Sequence, residues 1–429
     1  MRSGHRRTSW QRSAALILVF SLITSCASST DLEPVTVSLA ASGPTPTPFQ
    51  PQAGVVDSPY LSPLDAQAEP TYTPYPTPYI PSALISTPSQ NVTASSDAGT
   101  YDPNNPLTGL AAADPALLNR RPMAVKIANA PDYVRPQSGL SLADVVYEYY
   151  IEWGETRFIA VFYSNDTEMA GPVRSGRYFD EHITRMYHSY LVFKYADPRE
   201  YNYLLSSDLA EFLMVPGDGA CPPYVIGNSR RDTYNNIFFN SVKFADCLSQ
   251  QGLDNSRQSI RSGFFSSEPF VSPLSVNRIY FRYSPQSFSY WEYDAPTHKY
   301  FRYQEEHDLT SGKPNESYLP LIDAMTNLPV NTDNVVALFV PHLFANHWDA
   351  EDEVYHIELK DSGNAFVFRD GTTIPARWVR TDMDQPLILF TLDGTPIYLR
   401  PGRTFYEVLG ETSTYEQNGT DWRFRFVTP

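Results

Sequence analysis

Three acidic side chains spaced by four, Asp144, Glu148 and Glu152, open the densest patch of chemistry-bearing residues in the chain. Strand side chains alternate with a period of two, and helical ones stack at i and i+4. On either backbone the three acids therefore share a face. Val145, Tyr147, Tyr149 and Ile151 would line the opposite face as core. Arg157 follows, and then the run Gly171-Pro-Val-Arg174-Ser175-Gly-Arg177. Two guanidinium forks around a serine and a permissive glycine make a cradle for an anion. A carboxylate stripe beside it suits an active site, a metal–phosphate site or an internal network of ion pairs. As an active site, Glu148 or Glu152 would be the acid or base, with Arg174 and Arg177 stabilising developing negative charge. Ser175 as a nucleophile has no His or Asp partner that spacing identifies.

Weaker signals lie further along. Residues 278–303 hold ten aromatics: Tyr280, Phe281, Tyr283, Phe288, Tyr290, Trp291, Tyr293, Tyr300, Phe301 and Tyr303. Strand alternation would turn some rings to solvent, where they could stack on sugars, although cross-strand pairing accounts for them without a ligand. His342, His347, Asp349 and His356 have the chemistry of metal ligands but not the spacing that sets two on one helical face. There is no phosphate-binding Gly-rich loop and no Gly-x-Ser-x-Gly elbow. No metal centre and no cofactor are expected.

The elements that would hold these residues are short. Residues 123–127 read as a buried strand, and 144–152 and 156–163 as two strands joined by Trp153-Gly154-Glu155. Helices are expected over 179–187, over 198–206 with Pro at the first turn, and over 241–251 between Ser241 and Gly252. Residues 191–195 read as a strand. After residue 270 the pattern becomes strands alone, over 278–283, 288–293, 299–303, 335–340, 355–359, 365–369, 387–391 and 404–409. The expected class is α+β: an N-terminal α/β part with a mixed sheet over 104–269, then a mostly antiparallel β part over 270–429.

The rest of the chain is an address and a spacer. Arg2, Arg6, Arg7 and Arg12 precede an apolar stretch over 14–23, shorter than the roughly 20 residues that span a bilayer, so an export signal is expected. It ends in Ile23-Thr24-Ser25-Cys26, a lipobox in which Cys26 would carry lipid after removal of residues 1–25. Acyl chains contribute about 0.8 kcal/mol per buried CH₂, so a multiply acylated Cys26 would hold the protein at the membrane. From 27 to 119 there is no Lys or Arg, and fifteen prolines fall between Pro34 and Pro106. Such composition buries too little apolar surface to offset chain entropy, so 26–103 is expected to be a disordered tether. As a coil it would average about 50 Å, and as extended polyproline roughly 240 Å. In the oxidising compartment that export implies, Cys221 and Cys247 are left to form a disulfide, which would contribute about 3–4 kcal/mol. Of 429 residues, 48 are acidic and 32 basic, for a formal charge of −16; a general nucleic-acid binder would need the reverse.

Several motifs are long enough to compare. Asn105-Pro-Leu-Thr-Gly109, Arg121-Pro-Met-Ala-Val-Lys-Ile127, Pro136-Gln-Ser-Gly-Leu-Ser-Leu-Ala-Asp144, Gly154-Glu-Thr-Arg157 and Gly171-Pro-Val-Arg174-Ser-Gly-Arg177 together resemble the YerB-like family of bacterial lipoproteins. Phe366-Val-Phe-Arg-Asp-Gly371 and Pro401-Gly-Arg-Thr404 extend the likeness through the second half, with Phe405 where the family pattern has Trp. The resemblance implies a two-part domain on a membrane-anchored lipoprotein and brings no established activity. The expected function is binding by the body of an anionic envelope ligand, such as a glycan, or of an envelope protein. The alternative is a hydrolase or transferase acting on cell-wall polymers.

Overall fold

Met123–Ala128 (β1) is apolar but for Lys126, and all six side chains are buried, as in a strand covered on both faces. The computed structural model to which it belongs describes residues 103–429 except 217–220, 228–233, 262, 314 and 350. The signal segment, Cys26 and, but for Pro103, the tether expected over 26–103 lie outside the described residues. Val145–Tyr150 (β2) and Thr156–Phe162 (β3) are buried throughout and pair as a hairpin, with Val145 opposite Val161 and Tyr150 opposite Thr156. Asp180–Tyr187 (α1), Tyr190–Val192 (β4), Pro198–Ser206 (α2) and Leu213–Met214 (β5) follow. The α2 N-terminus is capped by Asp197, whose side chain accepts from Arg199 N.

Phe244–Gln251 (α3) stops at Gly252, which takes the left-handed conformation (φ 67°) expected of a helix-ending glycine. Its start differs from the reading of Ser241 as cap. Residues 241–243 form a 3₁₀ turn capped by Asn240, and Ser241 Oγ instead donates to Asp166 (2.7 Å).

The second half supplies Arg278–Arg282 (β6), Phe288–Asp294 (β7), Lys299–Glu305 (β8), Tyr318–Pro320 (β9), Asn334–Val340 (β10), Asp361–Arg369 (β11), Thr372–Arg380 (β12), Ile388–Thr391 (β13), Thr404–Gly410 (β14), Thr414–Asn418 (β15) and Asp421–Arg425 (β16). Ten strands form one mixed sheet in the order β13-β12-β11-β10-β14-β2-β3-β1-β4-β5. Within it β14 lies parallel to both β10 and β2, with Glu407 alongside Glu148. The last part of the chain thereby completes a sheet begun by the first. The second sheet runs β9-β8-β7-β6-β16-β15, with Asn331–Thr332 added to β8, and is antiparallel except for the β6–β16 pair.

The two sheets meet through aromatic rings, Trp291 against Phe405 (4.8 Å between centroids) and Phe424 against Phe366 (5.6 Å). Helix α1 covers the other face of the larger sheet, where the Tyr147 and Tyr187 hydroxyls meet at 2.8 Å. Strands β1, β2, β4, β5, β10 and β14 all point the same way, so their carboxyl ends share one rim.

Candidate functional site

The face shared by Asp144, Glu148 and Glu152 in the sequence reading does not exist in the fold. Regular pairing of β2 ends at Tyr150, and the turn through Trp153 and Gly154, both at positive φ (51° and 84°), swings Glu152 to the opposite side of the sheet. Asp144 stays at the far end of β2, buried, where it accepts from Asn105 Nδ2 (2.9 Å), Tyr163 N (2.7 Å) and Ser164 N (2.9 Å). Burial raises its pKa against those bonds.

Glu148 faces the second sheet. Its Oε2 accepts from Arg302 Nη2 (2.5 Å), and its Oε1 from Asn129 Nδ2 (3.0 Å) and Thr156 Oγ1 (2.7 Å). Arg302 also donates from Nη1 to Glu407 Oε1 (2.9 Å) and from Nε to Gln304 Oε1 (3.0 Å). Trp291 Nε1 (2.8 Å) and the Tyr283 hydroxyl (3.0 Å) donate to Glu407 as well. Arg302 and Glu407 are fully buried. One guanidinium thus serves two buried carboxylates, and burial, then the charge of Glu148, pushes Glu407 up to about 8. This is a satisfied internal network that joins the two sheets.

Glu152, Arg157, Arg174, Ser175 and Arg177 do come together, on the α1 side and at the carboxyl rim of the sheet. Arg177 forks onto Glu152, with Nε at 2.9 Å from Oε2 and Nη2 on Oε1, while its Nη1 lies 3.5 Å from Glu200. Arg157 donates from Nη1 to the carbonyl of Ser175 (3.2 Å), and its Nη2 is 3.9 Å from Glu152. Arg174 is half-buried and enters no ion pair among the described residues. Nε of Arg157 and Nε of Arg174 are buried without a hydrogen-bond partner among the described residues, and so are both carboxyl oxygens of Glu200. Burial and the neighbouring Arg177 and Arg174 push Arg157 down to about 9. Burial raises Glu200 to about 7. Gly176 has no room for a side chain, since a Cβ there would meet the Phe193 ring at 2.9 Å.

Beneath this cluster lies a second buried pair. Lys126 Nζ is 2.9 Å from Asp180 Oδ1, the Tyr149 hydroxyl also donates to Asp180 (2.5 Å), and burial lowers Lys126 to about 7. Asp180 Oδ2 accepts from Arg177 N (2.8 Å) and so ties the pair to the arginine loop.

Lys126, Asp180, Glu200, Arg302 and Glu407 were not singled out in the sequence. Two of them carried a usable signal: Lys126 and Glu407 are lone charges inside strands otherwise rich in apolar and aromatic residues. Charges so placed must be paired to be tolerated.

The aromatic run alternates as strands require. Phe281, Trp291 and Tyr300 are fully buried, while Tyr280, Tyr290 and Tyr303 form a row on the outer face, with Tyr290 stacked on Tyr303 (4.6 Å) and Arg423 over Tyr280 (3.8 Å). His342 is buried with Nδ1 on the Val340 carbonyl (2.8 Å), His356 stacks on Tyr178 (4.0 Å), and the His347 ring lies tilted against Trp348 (4.3 Å). Cys221 and Cys247 are joined by a disulfide, with Cα atoms 5.2 Å apart.

These features define an α+β protein built on one mixed ten-stranded sheet, with a buried ionic network on one face and an arginine-rich cluster on the other. Residues 107–254 match the family described as "Protein of unknown function (DUF3048) N-terminal domain" and residues 279–406 its C-terminal domain, and the chain belongs to this family. It is 26% identical over 314 residues to the Bacillus subtilis (strain 168) protein described as "Putative lipoprotein YerB", a match spanning 71% of this chain and 85% of the relative. The crystal structure of YerB from Bacillus subtilis has the same fold at 24% identity, with a TM-score of 0.58 over 71% of this chain and 96% of that one.

Proposed function

We propose that this chain is a lipid-anchored extracytoplasmic lipoprotein whose body binds an anionic group of an envelope glycan or protein at Arg174 and Arg157. The observation that carries the reading is the pair of buried Nε atoms without hydrogen-bond partners among the described residues. They sit in a cluster where Arg157 and Arg177 stand against Glu152, and Arg177 also against a Glu200 whose pKa burial raises to about 7. An anion would supply the missing acceptors and relieve the repulsion that lowers Arg157. The location adds support, because open α/β sheets hold ligands outside the carboxyl ends of their strands. Glu148 and Glu152 are paired with Arg302 and Arg177, which favours binding over the hydrolase or transferase alternative. Cys26 and the lipoprotein relative support the anchor, and residues 26–103 would be the spacer between membrane and body.

Two measurements test this reading. Metabolic labelling with a fatty-acid analogue should mark the parent chain and not Cys26→Ala; an unlabelled parent rejects the anchor. Thermal unfolding with and without inorganic phosphate should show a rise for the parent that Arg174→Ala abolishes. A parent without any phosphate-dependent shift rejects the anion site.

A further inference from the structure

Next to the arginine loop the chain exposes two aromatic rings that packing does not explain. Lys194 N donates to the Arg174 carbonyl (2.9 Å) and Gly176 N to the Tyr195 carbonyl (2.9 Å), so 194–195 run alongside 174–176. Tyr195 is 57% exposed and sits in the left-handed region (φ 64°), where bulky side chains rarely stand. Tyr234 is 59% exposed, its ring centroid 5.7 Å from that of Tyr195 and its plane tilted by 50°. Lys194, itself buried, brings its Nζ to 4.8 Å from the first ring and 5.6 Å from the second.

A cation thus backs two solvent-facing rings beside a guanidinium that has no carboxylate partner among the described residues. Ring faces carry negative quadrupole charge and attract the weakly positive C–H edges of a sugar ring, while a guanidinium forks onto an acid group. We infer that the ligand of this site is an acidic saccharide, held by its phosphate or carboxylate at Arg174 and by a sugar ring stacked on Tyr195 and Tyr234. The inference rests on the anion-site reading and adds the identity of the rest of the ligand.

Calorimetric titration of the full chain in detergent separates the two readings, with inorganic phosphate, glucose 1-phosphate and AMP as probes. The parent should bind glucose 1-phosphate at least tenfold more tightly than inorganic phosphate. Tyr195→Ala should erase that margin and leave the phosphate Kd within twofold, Tyr195→Phe should retain it, and Arg174→Ala should weaken both ligands at least tenfold. Equal affinity for phosphate and glucose 1-phosphate, or a margin that survives Tyr195→Ala together with Tyr234→Ala, overturns the saccharide subsite while leaving the anion site standing. AMP binding more tightly than the sugar phosphate also overturns it, in favour of base stacking. No binding of any probe overturns both readings.

Discussion

Glu407→Gln should stabilise the protein increasingly as pH rises from 5 to 8. The Glu407 carboxyl lies alongside Glu148 in the β2–β14 pairing, and the single guanidinium of Arg302 serves both. Burial and Glu148 lift it from an ordinary 4.5 to about 8. In the unfolded chain the group ionises near 4.5, so between those values the folded protein holds a proton that the unfolded chain has lost. Stability then falls as pH rises, by up to about 1.4 kcal/mol per pH unit. Glutamine keeps an oxygen for Trp291 and Arg302 but cannot ionise. The stability difference, variant minus parent, should therefore grow by roughly 1.4 kcal/mol per unit between pH 5 and 8 and level off above. Two other buried groups also slope the curve. Lys126, lowered to about 7, adds stability as pH climbs from 7 to 10.5, and Glu200, raised to about 7, removes it between 4.5 and 7. Both are present in parent and variant and cancel in the difference. The assay is equilibrium urea unfolding of both proteins at unit steps from pH 5 to 9. A flat difference, or a parent that gains on the variant as pH rises, would show Glu407 ionised beside Arg302 throughout and refute the reasoning.

Arg302→Met leaves Glu148 and Glu407 facing each other without a cation and should lower stability by about 3–5 kcal/mol in urea unfolding at pH 7; a loss below about 1 kcal/mol would mean that the network contributes little to holding the sheets together. Cys247→Ser opens the link to Cys221, 26 residues away in sequence, and should cost about 3 kcal/mol under oxidising conditions. Reduction should bring the parent down to the variant's level. Trp378→Ala empties a fully buried site and frees the Phe339 carbonyl, which now accepts from the indole at 2.9 Å, so a loss of about 3–5 kcal/mol is expected by the same assay.

Much of the fold was legible because its strands obey simple patterns. The hairpin at Trp153-Gly154, helix 198–206 and the strands at 278, 288, 299 and 404 all stand where apolar alternation and turn residues put them. Thr372–Arg380 was missed because Pro375 and two arginines read against a strand. It tolerates the proline because β13 pairs only with Ala376–Val379, leaving Pro375 beyond the doubly paired stretch. Asp421–Arg425 was missed because three of its five residues are charged; its Trp422 and Phe424 alternate inward all the same.

The arginine loop was legible as a unit, since Arg174, Ser175 and Arg177 are close in sequence. Its partners were not. Asp180 follows within three residues, but Lys126 and Glu200 reach the cluster only through strand order and the placement of α2. The stripe of Asp144, Glu148 and Glu152 failed for a local reason: period-two reasoning holds only while the strand continues, and this one ends at Tyr150.

The direct test of the central claim compares Arg174→Lys with Arg177→Lys in one experiment that reads phosphate binding by calorimetry and stability by urea unfolding. Lysine keeps the charge and most of the stem but cannot form a fork. Arg177 braces Glu152 and stands against Glu200, so Arg177→Lys should lose stability, a fraction of the roughly 3–5 kcal/mol of a broken buried pair. Arg174 braces no carboxylate, so Arg174→Lys should unfold within about 0.5 kcal/mol of the parent, as changes away from such contacts do, and bind phosphate at least tenfold more weakly. The contrary result is an Arg174→Lys protein that loses several kcal/mol of stability while the parent binds no phosphate; that outcome would make both arginines internal braces and leave the rim of the sheet without a ligand site.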